Sequence, residues 1–264
     1  IAVLIFYNRQ MANLTGARSW FIFGPISFQP SEVVKPAFIL MISRVVAQHN
    51  RLYQQHDTAK DWLLLGKMAL WFLPVAALIA LQNDLGTLLV FIAIFGGVAL
   101  VSGVTWRILA PMIAVVAAVG ATLLALVTST AGKMILDALG FKLYQFARIQ
   151  TWLHPDQDTS ASGYQTYQSL KAIGSGQLTG NGFGNLTVYV PVRESDMIFS
   201  VIGESFGFIG GTLLIGLYFG LIYMLIRATF KAQNAFYAYI ATGVVMMVLF
   251  HVFENIGMSI GLLP

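Results

Sequence analysis

The chain has 264 residues, 57% of them hydrophobic and only 10% charged, against about 25% charged residues in soluble domains. This composition predicts a protein that crosses a membrane several times, and a net charge of only +4 argues against nucleic acid binding. The absence of cysteine excludes disulfide bonds and thiolate metal sites.

The N-terminal residues 1–7 are apolar but lack the basic region and cleavage site of a signal peptide. They resemble the end of a helix that begins upstream, and the chain stops at Pro264 directly after another apolar run. We therefore expect a fragment that is cut at both ends. A polar loop, residues 8–29, follows the remnant, and its Trp20 and Phe21 fit the aromatic belt of a membrane interface.

The first complete helix is predicted to begin at Pro30 and to end near Ala47, since proline and an acidic residue both suit a first turn. Glu32 and Lys35 lie three residues apart and so share a face of this helix. The pair is either a local ion pair that stabilises the helix start or part of a polar cavity lining. The sequence leaves both interpretations open.

Three further spans are predicted at residues 68–81, 85–103 and 108–129. The basic loop before them is cytoplasmic by the positive-inside rule, so the polar break before residue 85 lies on the outer side. Asp84 in that break is interpreted as a helix cap, although a role in function stays open.

The segment 130–197 is the one long polar stretch, and the count of crossings makes it an extracellular loop. Its residues 133–152 mix apolar and basic side chains, as amphipathic helices on a membrane surface do. Five glycines in residues 174–184 resemble a phosphate-binding nest. No Lys-Ser/Thr follows them and no strand precedes them, so a tight re-entrant or surface loop is the preferred interpretation.

The segment 191–211 places a cluster of charges directly before a long apolar run, and Glu204 falls inside that run. An intramembrane carboxylate costs roughly 2.5–3.5 kcal/mol, so Glu204 needs a partner, a proton or a water-filled cavity. If a helix begins at Asp196, Glu204 lies about 12 Å deeper and within roughly 80° of the same face. The two acids would then lie along one face of the helix, one deeper than the other. The alternative is an interfacial charge cluster with a protonated, hydrogen-bonded Glu in the core.

The last two spans are predicted at residues 206–226 and 235–257, with a basic cytoplasmic turn between them. The sequence thus predicts an all-α polytopic membrane protein with about six complete transmembrane helices, an N-terminal helix remnant and one long extracellular loop. The notable buried polar residues fall mostly toward the outer ends of their helices, which predicts chemistry or transport at the outer leaflet.

Several separated blocks are similar to those of one family, the SEDS proteins of shape, elongation, division and sporulation. They are Gly-Ala-Arg-Ser-Trp at 16–20, Phe-Gln-Pro-Ser-Glu-Val-Val-Lys at 28–35, Asp-Leu-Gly-Thr at 84–87, Tyr-Gln-Ser-Leu-Lys-Ala-Ile-Gly-Ser-Gly at 167–176, the segment 191–211 and Asn-Ile-Gly-Met at 255–258. The chain departs from the family pattern at Asn83, Glu194 and Ser205, where the family often has Pro, His and Glu. The resemblance implies a single membrane domain over 1–264, truncated from a ten-helix fold at both ends.

The resemblance implies peptidoglycan glycosyltransferase activity, the polymerisation of lipid II into glycan strands at the outer face of the cytoplasmic membrane during cell elongation. The implied partners are lipid II, the nascent glycan strand, membrane lipids and a class B penicillin-binding protein that crosslinks the strands. No cofactor is firmly implied, although a divalent cation stays open, and no metal ligands are predicted.

Inversion at the anomeric carbon of an α-linked lipid diphosphate needs a base on the acceptor 4-hydroxyl and cationic help for the departing diphosphate. Asp196 resembles the base that is proposed for the family. The expected substrate-binding residues are Arg18, Trp20, Glu32, Lys35, Asp84, Lys171 and Arg193.

Two other functions stay open. A lipid II flippase should show paired broken helices in repeated halves, which the sequence does not reveal, and a scaffold for the penicillin-binding protein would not need Asp196.

Overall fold

The computed structural model describes residues 21–23, 26–53, 57–82, 84–129, 131–132, 134, 152, 162–231 and 234–263. The N-terminal remnant and nearly all of the amphipathic helices predicted at 133–152 lie outside these residues.

The regular elements of the described chain are helices apart from one hairpin, in which strand β1 (Phe21–Phe23) pairs antiparallel with β2 (Ile26–Phe28). The helices follow as α1 (Pro30–Leu52), α2 (Thr58–Leu81), α3 (Leu85–Val101), α4 (Trp106–Thr128), α5 (Ser162–Ser175), α6 (Ile198–Lys231) and α7 (Ala235–Ser259). The hairpin was not predicted, because the sequence indicated only a polar loop there.

Six of these helices fall where the sequence predicts the complete spans. By length and composition α2, α4, α6 and α7 can each cross a membrane. Helix α3 is apolar but has 17 residues, close to the shortest length that spans a bilayer core. Helix α1 has 23 residues but carries four charged side chains, Glu32, Lys35, Arg44 and Arg51. The all-α polytopic membrane fold is confirmed.

Helix α2 begins ten residues before the predicted span. Asp57 caps it, since its Oδ1 accepts a hydrogen bond from the backbone N–H of Thr58 at 2.7 Å. The start at residue 68 came from the onset of the apolar run, whereas the helix begins at the cap and its first turns are only partly apolar.

The chain divides into two compact units. One comprises Ile1–Ala110 and Ile222–His251, and its core packs α1 against α2 and α3, with an edge-on contact between the rings of Phe38 and Phe91 whose centroids are 5.3 Å apart. The other comprises Pro111–Leu221 and Val252–Pro264, and its small core contains Ala172, Val188, Val190 and Met197. The prediction of a single domain stays a prediction.

Candidate active site

Lys35 is buried in the second turn of α1, with 1% of its surface exposed. Its ammonium donates to Glu32 Oε1 at 2.7 Å, while Nε2 of His251 on α7 lies 2.9 Å away. An ammonium group has only donors, so the imidazole nitrogen must be the acceptor. The Glu32 side chain is 54% exposed. The predicted ion pair is therefore present, and its ammonium also contacts a residue of a second helix, α7.

Asp84 is the N-cap of α3, as interpreted from the sequence. Its Oδ1 accepts a hydrogen bond from the backbone N–H of Thr87 at 3.1 Å, and its Oδ2 accepts one from Nε2 of Gln29 at 2.9 Å. Gln29 is itself the residue before α1. Asp84 therefore ties the start of α1 to the start of α3, and its role in substrate binding stays a prediction.

Asp196 lies in a turn two residues before the first residue of α6. Val192 opens this turn with a φ of 55°, a conformation that β-branched residues rarely adopt. The carbonyl of Val192 accepts hydrogen bonds from the backbone N–H groups of Ser195 at 3.2 Å and Met197 at 3.3 Å. The carboxylate of Asp196 is exposed, and none of the described residues hydrogen-bonds it. The turn thus presents a free carboxylate at the N-terminal end of a helix, as predicted.

Arg193 and Lys171, two of the predicted substrate-binding cations, do not pair with Asp196 in the described part of the chain. Arg193 is half-buried in the same turn and Lys171 is exposed on α5. Neither has an ion-pair partner among the described residues. Arg18 and Trp20 lie outside the described residues, so their predicted roles stay predictions.

The expectation that Asp196 and Glu204 share a face of one helix is corrected, because α6 begins at Ile198. Asp196 precedes α6, so a rotation of 100° per residue does not relate the two side chains. Glu204 is 2% exposed. Its Oε1 accepts hydrogen bonds from the backbone N–H of Thr187 at 2.6 Å, the Thr187 hydroxyl at 2.8 Å and the backbone N–H of Val188 at 3.0 Å. Glu204 therefore anchors the loop before the Asp196 turn.

Helix α6 is broken at Gly207, whose φ of 64° and ψ of −161° are not helical. The glycine-rich residues 176–182, the glycine clasp, bond the backbone groups that the break frees. Carbonyls of Glu204 and Ser205 accept from the N–H groups at 181 and 182 at 2.9 and 3.1 Å. The N–H groups of Phe208 and Ile209 donate to the carbonyls at 177 and 178 at 2.8 and 3.1 Å.

The clasp needs glycine because two backbones approach each other closely. A Cβ added at Gly176 would run into the carbonyl oxygen of Gly203, and one at Gly180, whose φ is +83°, would run into that of Ser205. The amides at 181 and 182 already bond carbonyls of α6, so they are not aimed at a phosphate as in a nest. The interpretation of this segment as a tight loop is confirmed.

Metal binding finds no support within the described residues. No group of three His, Asp or Glu side chains there could hold a metal ion. The divalent cation that the sequence left open accordingly stays a proposal.

Comparison with known proteins decides the family. The sequence model of the FtsW/RodA/SpoVE family, described as cell cycle proteins, matches residues 1–264. The chain is a member of the FtsW/RodA/SpoVE family. The predicted family and membrane location are confirmed.

Two relatives and one structure illustrate the match. The chain is 34% identical to the peptidoglycan glycosyltransferase MrdB of Escherichia coli K12 over 94% of its own length and 63% of MrdB. It is 33% identical to the putative peptidoglycan glycosyltransferase FtsW of Mesostigma viride over 96% of its own length and 56% of that protein. A chain of a peptidoglycan synthase complex, which coordinates polymerization and crosslinking, superimposes with a TM-score of 0.73 at 27% identity, covering 99% of this chain and 67% of that one.

The chain therefore spans about six tenths of the length of these two FtsW/RodA/SpoVE relatives. The sequence blocks point more finely to RodA of Gram-positive bacteria. That assignment within the family stays a prediction, because FtsW and MrdB are matched at nearly equal identity.

Within the site, sequence reasoning missed two further features of this FtsW/RodA/SpoVE chain. The partnership of Lys35 with His251 joins residues 216 positions apart, and nothing in either local pattern indicates it. The break in α6 had a signal, a glycine inside an apolar run with five glycines shortly upstream. The backbone hydrogen bonds that fill this break do not depend on side-chain type, so apart from the glycines the sequence gives no sign of them.

Proposed function

We propose that this chain forms the membrane core of a peptidoglycan glycosyltransferase that polymerises lipid II into glycan strands at the outer face of the bacterial cytoplasmic membrane. The observation that carries the proposal is the exposed carboxylate of Asp196, held in a turn ahead of α6 and bonded by none of the described residues. It is supported by relatives that are named peptidoglycan glycosyltransferases. A role in cell elongation follows from the resemblance to RodA.

Asp196 is the proposed general base. A sugar hydroxyl is too weak an acid to ionise beforehand, so its proton leaves as the oxygen attacks the anomeric carbon. Asp196 takes that proton while the new glycosidic bond forms with inversion and the bond to the lipid diphosphate breaks. The dipole of α6 places positive potential beside the carboxylate.

Cationic side chains are proposed to stabilise the charge that develops on the departing diphosphate. Lys35 is the best supported of them, because its ammonium is buried and retains one donor after bonding Glu32 and His251. The full set of proposed substrate-binding residues is Arg18, Trp20, Glu32, Lys35, Asp84, Lys171 and Arg193. A divalent cation is a further proposal, and no step of the mechanism requires it.

The proposed protein partner is a class B penicillin-binding protein that crosslinks the strands. It is supported by the similarity to a chain of a peptidoglycan synthase complex that coordinates polymerization and crosslinking. Lipid II, the nascent glycan strand and membrane lipids are the other proposed partners.

Lipid II transport is less well supported. Transporters that move a substrate through broken helices use the freed backbone groups to line the binding site. The break in α6 is filled by the glycine clasp instead, and the described residues contain no second helix with such a break. A purely non-catalytic scaffold would give no reason for an exposed carboxylate in a strained turn.

The test is polymerisation of fluorescent lipid II by the purified full-length protein, alone and with its penicillin-binding partner. We expect glycan ladders on a gel that disappear when the product is treated with a muramidase. Movement of lipid II across vesicle membranes without any polymer would favour the flippase. Polymer formed only by the partner, at a rate that this protein stimulates, would favour the scaffold.

A further inference from the structure

We propose that His251 is a positioning residue for Lys35: its Nε2 accepts a hydrogen bond from the ammonium and directs the remaining N–H toward an anionic group of the substrate. This proposal rests on the proposed function, because the anion it envisages is a phosphate of the lipid-linked sugar.

Lys35 needs a second acceptor to hold one direction. Lysine carries three donors on a flexible four-carbon stem, so a single partner does not fix it. Glu32 lies on the same helix and is 54% exposed, so it constrains the ammonium only weakly. His251 comes from α7 and lies 2.9 Å from Nζ, which gives the buried ammonium an anchor on a different element.

Helix α7 holds His251 in place through contacts with α1. A Cβ added at Gly243 would lie 2.7 Å from Cγ2 of Ile39, so the two helices are in close contact there. Further along, the amide of Asn50 donates to the hydroxyl of Tyr239 at 3.0 Å. These contacts order α7 antiparallel to α1, with His251 at the same end as Lys35.

The chemistry of the partner also fits. An imidazole that accepts from an ammonium adds no negative charge, and the ion pair that Lys35 makes among the described residues is with the half-exposed Glu32. One turn earlier, the hydroxyl of Ser31 is buried and has no hydrogen-bond partner among the described residues. Residues four apart share a helix face. A spare ammonium donor and an unpartnered buried hydroxyl together suit a phosphate oxygen.

A double-mutant cycle with kinetics on the purified full-length protein tests this role. His251→Leu removes the acceptor and should lower the polymerisation rate about tenfold or more, in the range of measured couplings between residues in contact. His251→Gln supplies an amide oxygen as acceptor and should keep the rate within about threefold of wild type. Leu249→Ala, on an exposed face of α7, is the control and should change nothing.

The decisive comparison uses Lys35→Met. In that background His251→Leu should lower the rate no further, because the residue it positions is gone. An equal fold-loss in both backgrounds, or a Gln variant as slow as the Leu variant, would overturn the proposal. The thermal unfolding of all variants is measured alongside, and a loss of rate that is matched in every variant by a loss of folded protein would reduce His251 to a structural role. A wild-type protein that makes no polymer would refute the proposed function itself.

Discussion

At the scale of single residues, the carboxylates of this chain differ in whether protein groups donate hydrogen bonds to their oxygens. Asp84 bonds Thr87 and Gln29, and Glu204 bonds Thr187 and Val188. A carboxylate that is already bonded by N–H and O–H groups of the protein is poorly placed to take a proton from a substrate. Asp196 is exposed and is bonded by none of the described residues, and the same holds for Glu194 in the same turn. Of the two, Asp196 is the candidate for the base because it occupies the position of the aspartate in the family pattern.

Replacing Asp196 with Asn should abolish most of the polymerisation. Asn keeps the shape of the side chain but cannot take a proton, and loss of a general base typically costs about 10²–10⁴-fold in rate. The variant should fold, reach the membrane and still bind lipid II, as checked by gel filtration and a lipid II binding assay. Asp196→Glu should keep at most a little activity, because the extra methylene moves the carboxylate. Near-normal product from the Asn variant would eliminate Asp196 as the base.

Lys35→Ala should impair polymerisation more than any single change in the cytoplasmic loop. It removes a buried donor and leaves His251 and Glu32 without their partner. Because the remaining charge, Glu32, is half-exposed, the loss of stability should stay below the roughly 3–5 kcal/mol that breaking a fully buried charge pair costs. Activity is measured on purified protein together with the thermal unfolding temperature. Lys60→Ala is the control, since the Lys60 ammonium lies over the ring of Tyr53, 5.8 Å from its centroid, and makes no ion pair among the described residues. A folded and fully active Lys35→Ala protein would make the pair a feature of the helix start only.

At the scale of elements, the positions of the helices were predictable and their irregularities were not. Apolar runs locate six helices because a membrane span needs about 20 apolar residues. The start of α2 was placed at residue 68, where the apolar run begins, whereas the helix begins at Thr58 after its N-cap Asp57. The capping role of Asp84 and the nearness of Asp196 to the N-terminal end of α6 were predictable, since both depend on local sequence, whereas the start of α6 two residues after Asp196 was not. The partners of Lys35 and Glu204 were not, because they come from distant segments.

The part of α6 after Gly207 is roughly 36 Å long, enough to cross a bilayer core of about 30 Å by itself. The part before it belongs to the same assembly as the glycine clasp and Glu204. An unbonded backbone group away from water costs several kcal/mol in a membrane. The clasp therefore supplies the hydrogen bonds that the break would otherwise lose, and it holds the short helix that follows Asp196 in place.

Gly176→Ala should destabilise the protein by about 1–3 kcal/mol, the usual cost of forcing extra atoms into a packed site. Its Cβ would collide with the carbonyl oxygen of Gly203, which is part of a helix and has little room to move. Gly174→Ala is the matched control, because no atom lies within 4 Å of its added Cβ. Removing a glycine from a helix should leave the control unchanged or more stable by up to about 1 kcal/mol. Equal unfolding temperatures of the two variants in detergent would argue against the clasp.

At the scale of the whole molecule, orientation in the membrane decides which residues can meet an extracellular substrate. The bias of basic residues and the count of crossings predict that residues 54 and 228 face the cytoplasm and residue 162 faces outward. These 264 residues contain no cysteine, so none of them competes with an introduced cysteine for a thiol reagent.

Cysteines introduced at Gln54, Ser162 and Ala228 should react differently with a membrane-impermeant thiol reagent. In intact cells only the cysteine at 162 should be labelled, because the other two are shielded by the membrane. All three should be labelled after permeabilisation, which shows that each thiol is accessible. Labelling of position 54 in intact cells would reverse the orientation and remove the basis for chemistry at the outer face.

The glycine clasp also limits how this part of the sequence can change during evolution. Any residue except proline supplies the same backbone N–H and carbonyl, so exposed positions such as Leu178 and Asn181 are free to vary in side chain. An insertion or deletion of one residue between 176 and 182 would instead shift each donor past its acceptor on α6. Proteins that share the clasp should therefore keep glycine at the positions of Gly176 and Gly180 and differ at the exposed positions in side chain but not in length. They should lack proline at the positions of Asn181, Phe208 and Ile209.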